Sequence, residues 1–123
     1  MSDAGSPESL PMQAPRVWYL VRDFDRGRDF YKRVLGFDET YVDWDDKWSK
    51  LEHGEMRIAL AEGEPVEAGV ATIDVRDVKA DAERLREEGV EVGVVIELAG
   101  QMRIVDVFDP DGNRVQLAQP IGD

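Results

Sequence analysis

The chain has 123 residues, no cysteine, and 27 acidic against 15 basic side chains, for a net charge of -12. That charge repels phosphate backbones and anionic headgroups, which disfavours nucleic acid and membrane surfaces as partners; where charge selects a ligand it favours a cationic or neutral small molecule, and keeping the protein soluble is an equal reason for the acidity. Without thiols there is no disulfide, no thiolate catalysis and no zinc-thiolate site, and the length suits one domain with a real core.

Residues 1–15 are rich in Ser, Pro, Gly, Ala and Asp and read as a flexible N-terminal arm. No apolar run reaches the roughly 20 residues of a membrane-spanning helix, and no basic-then-apolar leader opens the chain, so a soluble, cytoplasmic protein is expected. Arg16 to Arg22 is β-prone, with Val17, Tyr19 and Val21 on one side and Arg16, Trp18 and Leu20 on the other. Asp23 suits a helix N-cap, Phe30, Tyr31, Val34 and Leu35 recur at helical spacing, and Gly36 supplies the stop. Strands follow at Phe37 to Asp43, Lys47 to Glu52 and Met56 to Ala61, the last two joined by a turn at His53-Gly54. His53 is the single histidine, and between two glutamates it reads as a solvated turn residue.

A charged linker, 63–68, separates this half from the next. Val70 to Arg76 reads as a strand, Asp77 to Glu88 as an amphipathic helix with Val78, Ala82 and Leu85 on its stripe, and Gly89 as its stop. Val90 to Leu98, Arg103 to Phe108 and Arg114 to Ala118 then read as strands. Between the last two, Asp109-Pro110-Asp111-Gly112-Asn113 makes a tight hairpin, because Pro presets φ and Gly or Asn accepts the left-handed conformation. Both halves are βαβββ, and Val21-Arg22-Asp23 recurs as Val75-Arg76-Asp77 at the strand-to-helix junction, a repeat of about 54 residues. The expected fold is α+β: two tandem βαβββ modules, 16–62 and 69–123, forming an open curved mixed sheet around a groove.

Val21-x-Asp23 leading into Phe30-Tyr31 and Leu35-Gly36-Phe37, with Asp109-Pro110-Asp111-Gly112-Asn113 ahead of the final strand, resembles the vicinal oxygen chelate superfamily. This is the group of glyoxalase I, extradiol dioxygenases, and fosfomycin and bleomycin resistance proteins. The resemblance implies a divalent metal held by His or Gln near the start of each half's first strand and by Glu on each half's last strand. Counted through the motifs, those positions hold Arg16, Val70, Ala59 and Gln116. Only Gln116 offers a ligand atom, and a weak one. No cofactor is therefore expected, with a divalent metal left open.

Strand parity lines the groove with Arg16, Trp18, Leu20, Arg57, Ala59, Ala61, Val70, Thr72, Asp74, Arg114, Gln116 and Ala118, and adds Arg103, Val105 and Val107. Trp44 and Trp48 flank a hairpin tip placed at the groove mouth, where indoles suit planar or cationic ligands. Asp74 and Arg103 are either an internal ion pair or a site for a polar substrate group. Two functions follow from the resemblance. One is a metal-free small-molecule binding protein of bleomycin-resistance type, a homodimer whose groove borrows residues from the neighbour. The other is a lyase, isomerase or dioxygenase-like enzyme using a non-standard metal site or acid-base chemistry at Asp74 and Arg103.

Overall fold

The computed structural model describes residues 15–66 and 69–121, so nearly all of the expected arm lies outside the described residues. The first half runs β1 (Val17–Val21), α1 (Phe24–Asp29), β2 (Asp38–Asp43), β3 (Trp48–His53) and β4 (Met56–Glu62). The second runs β5 (Ala71–Asp74), α2 (Val78–Glu87), β6 (Glu91–Val92), β7 (Ile96–Leu98), β8 (Met102–Phe108) and β9 (Arg114–Pro120). Each half builds its own mixed sheet, β1-β4-β3-β2 and β5-β9-β8-β6, with β7 also on β8.

The repeat holds at the level of register. Trp18 lies beside Ala59 in the parallel β1–β4 pair, and Thr72 beside Gln116 in the parallel β5–β9 pair, so Ala59 and Gln116 are equivalent positions. It also holds in the caps. Asp23 accepts from Arg26 N at 3.1 Å and Asp77 from Ala80 N at 3.0 Å, the N-cap bond that satisfies an orphan helix donor. The end of each last strand satisfies another: Glu62 accepts from Phe24 N at 3.1 Å and Gln119 from Val78 N at 2.9 Å.

The halves differ after α1, where the chain widens into a π-type turn, Phe30–Val34, with Leu35 N donating to Phe30 O at 3.1 Å. This turn buries Phe30, Tyr31 and Val34, and α2 buries Val78, Ala82 and Leu85, in one apolar cluster with Tyr19, Val21, Leu51, Ile58 and Leu60 of the first sheet and Ile73, Val105, Val107, Val115 and Leu117 of the second. Burial of that many apolar side chains on one face of each sheet is the main force holding helix to sheet. Among the described residues no helix covers the opposite faces.

Two sequence expectations change. Val90 to Leu98 is two short strands rather than one: Gly93 N bonds to Asp106 O at 2.8 Å between them, and Val94 stands 78% exposed. His53 is half-buried, not a solvated turn residue; it falls on the helix-facing side of β3, with its ring 5.3 Å from that of Phe37.

The 109–113 hairpin docks on the first half. Asp109 Oδ1 accepts from the N–H groups of Asp111 and Asn113, at 2.8 and 2.9 Å, which closes the turn. Its Oδ2 accepts from the Tyr31 hydroxyl and the Asn113 amide, and that amide also donates to Leu20 O at 2.8 Å. Tyr19 ties the same region: its hydroxyl donates to Arg114 O at 2.6 Å and accepts from Ala71 N at 2.9 Å, bridging the ends of β9 and β5.

Candidate functional site

On the first sheet, register sets one row as Tyr41, Lys50, Ala59 and Trp18, and the next as Asp43, Trp48, Ala61 and Leu20. These side chains face away from α1. Tyr41 joins them through a β-bulge between Glu39 and Tyr41, which switches the strand's parity. Glu39 before the bulge still points to the helix, where Arg28 and Lys32 hold it at 2.7 and 3.0 Å. Three rings then cluster in the open: Trp18 to Trp48 at 5.5 Å and Tyr41 to Trp48 at 5.2 Å, with Trp18 48% and Tyr41 40% exposed. Water-facing aromatic surface of this kind is costly unless something covers it. The sequence pointed to Trp18 and Trp48; it missed Tyr41 because a bulge leaves no clear sign in apolar alternation.

On the second sheet the open face carries Thr72, whose hydroxyl lies 3.3 Å from Gln116 Oε1, and Arg114, paired with Asp106 at 3.4 Å. Ile104 aligns with Ala118 and Ile96, and Met102 with Leu98, making an apolar end to that face. A pocket of about 410 Å³ joins the start of β1, the 53–56 hairpin and β5, and brings Arg16, His53, Glu55, Thr72 and Asp74 together.

Three expected lining residues lie elsewhere. Val105 and Val107 are core, at 1% and 0% exposure, and Arg103 shares their parity. The groove-side residues of β8 are Ile104, Asp106 and Phe108, because the hairpin aligns Phe108 with Arg114 and Asp106 with Gln116. Arg103 therefore pairs with Glu97 at 3.2 Å and stands on the opposite face from Asp74, so the two do not form the expected pair. Trp44 also leaves the groove: its ring packs edge-on to Phe24 of α1 at 6.1 Å, under the Arg28 guanidinium at 4.5 Å. Leu20 and Arg57 stay on or beside the open face, each only partly exposed.

The four counted ligand positions do not fit a divalent cation. Arg16 is itself cationic, Val70 and Ala59 have no donor atom, and Gln116 shares its amide oxygen with Thr72. Among the described residues no group of three or more His, Cys, Asp or Glu side chains is placed to hold a metal. The perturbed phenols belong to the interior: burial pushes Tyr19 up to about 12, and burial with the Asp109 charge raises Tyr31 well above the ordinary phenol value.

With two βαβββ halves, helix-free sheet faces and the docked hairpin in place, the chain belongs to the Glyoxalase/Bleomycin resistance protein/Dioxygenase superfamily, whose family profile matches residues 13–117. A comparison with curated proteins gives no match. Among solved structures it is similar to TnmS3, an antibiotic binding protein from Streptomyces sp. CB03234, with 25% identity and a TM-score of 0.66 over 90% of this chain and 98% of that one. It is also similar to an integron cassette protein from the mobile metagenome of the Halifax Harbour sewage outfall, at 19% identity and TM-score 0.73 over 83% and 93%. The fosfomycin resistance protein FosX of Listeria monocytogenes aligns at 18% identity and TM-score 0.69 over 89% and 94%. Among the described residues no helix is long and apolar enough to cross a membrane.

Proposed function

We propose that this chain is a metal-free binding protein for small planar molecules, of the kind that protects by sequestering an antibiotic rather than by turning it over. The observation that carries the reading is the open aromatic cluster of Trp18, Trp48 and Tyr41, built on a sheet face whose counted metal positions hold no metal-binding set. Rings fixed on a sheet at such spacing suit stacking against a flat ligand at low entropic cost. Likeness to an antibiotic binding protein supports a small-molecule antibiotic as the ligand.

The working unit in this reading is a cytoplasmic homodimer. The exposed apolar side chains Ile96 and Leu98 on the second sheet and Trp18 and Tyr41 on the first are suited to covering one another between two copies, with the ligand held between. Tryptophan fluorescence titrated with bleomycin and a panel of planar antibiotics tests the binding, and sedimentation velocity tests the dimer. Quenching that saturates at micromolar ligand or below supports the reading; tight, stoichiometric metal in the purified protein overturns it.

A further inference from the structure

We infer that the ligand of the first sheet's open face carries an acidic oxygen on its planar frame, with Lys50 as the counter-ion; this rests on the reading of that face as a binding site. Lys50 stands in the row between Tyr41 and Ala59, with Nζ 5.9 Å from the centre of the Trp48 ring. Lys32 and Lys47 each pair with a glutamate, at 3.0 and 3.6 Å, but among the described residues no carboxylate pairs with Lys50. That arrangement leaves an ammonium with no carboxylate partner among the described residues beside the Trp48 ring, between the Asp43, Trp48 and Ala61 row and the Asp38, Glu52 and Arg57 row.

Of the acids on the same face, Asp43 accepts from Asp46 N at 2.9 Å in its own turn, and Glu52, two residues along β3, stands in the next row, aligned with Arg57. Beside Lys50 stands Ala59, the position at which the superfamily resemblance expects a glutamate, so no carboxylate there competes for the ammonium. The chain's net charge governs approach from a distance and is screened within roughly 8–10 Å at physiological salt. Contact with Lys50 decides what stays bound. An ammonium held over the Trp48 ring, among rings tilted to one another, favours a carboxylate, phenolate or enolate on a planar ligand laid against them, through a charge-assisted hydrogen bond.

Isothermal titration calorimetry of the full chain with 2-naphthoate, 2-naphthamide and 2-naphthylmethylammonium tests this with one ring and three charges. The expected result is naphthoate bound about tenfold or more tighter than the other two. Lys50→Met should erase that preference while leaving amide binding in place, and Lys50→Arg should keep it; circular dichroism checks that both variants fold. Amide or ammonium binding as tight as naphthoate, or a preference that survives in Lys50→Met, overturns the inference and leaves the aromatic face standing. No binding of any of the three overturns the inference and the binding face together.

Discussion

Tyr31 donates its phenolic hydrogen to Asp109 Oδ2 at 2.9 Å, a bond that crosses from the π-type turn of the first half to the hairpin that ends the second. The acceptor is a carboxylate only 4% exposed, and Tyr31 is fully buried. Hydrogen bonds to buried charges contribute more than neutral ones, and a partner left behind unpaired costs its full desolvation. Tyr31→Phe should therefore lower unfolding stability by about 1.5–3 kcal/mol in urea titrations. Asp109→Ala should cost more, because it also unpairs one N–H of the Asn113 amide and two turn N–H groups. A double mutant close to the sum of the two singles would show that the pair is not coupled.

The same contacts set an alkaline limit. Tyr19 is pushed from 10.0 up to about 12, by burial first, and Tyr31 is raised well above the ordinary phenol value, by burial first and then by the Asp109 charge. A phenol whose folded pKa lies above its unfolded one leaves stability intact below the unfolded value and removes it as pH climbs through the folded value. Stability should thus be level up to about pH 10 and fall above it. Tyrosinate absorbance should show two of the three tyrosines resisting ionisation until the protein unfolds. Three phenols titrating together with the fold intact would contradict the packing.

How far these features could be read beforehand depends on what makes them. The duplication, the caps at Asp23 and Asp77 and the 109–113 turn rest on local residue chemistry, and each is written in a few consecutive letters. The parity of β8 failed because Ile104, Val105, Val107 and Phe108 put apolar residues on both faces, so alternation alone does not choose between them. Counting back from the hairpin, which aligns Phe108 with Arg114, does choose. Tyr31 on Asp109, the bulge at Tyr41 and Trp44 on Arg28 depend on contacts or pairings that no periodicity records.

Gly27 lies where α1 crosses β1. A Cβ there would meet Val21 Cγ2 at 2.8 Å and its Cβ at 3.0 Å, and Val21 is fully buried and stiff about χ1. Gly27→Ala should destabilise by about 1–3 kcal/mol, even though alanine is the better helix former by about 1 kcal/mol. A raised melting temperature would mean that the helix shifts freely on the sheet.

Ser49 presents the opposite case. It is fully buried on the helix-facing side of β3, between Val42 and Leu60 in register, and its Oγ has no hydrogen-bond partner among the described residues. Removing an unsatisfied hydroxyl without changing shape much should be neutral or stabilising by up to about 1 kcal/mol, so Ser49→Ala should match or exceed the parent in thermal unfolding. A loss of more than about 1 kcal/mol would show that the hydroxyl is bonded after all.

Trp18 and Trp44 are both exposed indoles, at 48% and 60%, yet they stand on different surfaces and should behave differently. Trp18 packs at a tilt against Trp48 on the open face, whereas Trp44 packs on Phe24 and takes the Arg28 guanidinium over its ring. Trp18→Ala should weaken ligand binding about tenfold, roughly 1.4 kcal/mol, with little change in melting temperature. Trp44→Ala should leave affinity alone and lower stability by about 0.5–1 kcal/mol through the lost cation–π contact. Calorimetry and thermal unfolding of the two variants separate these effects, and equal loss of affinity in both would place the ligand somewhere other than the open face of the first sheet.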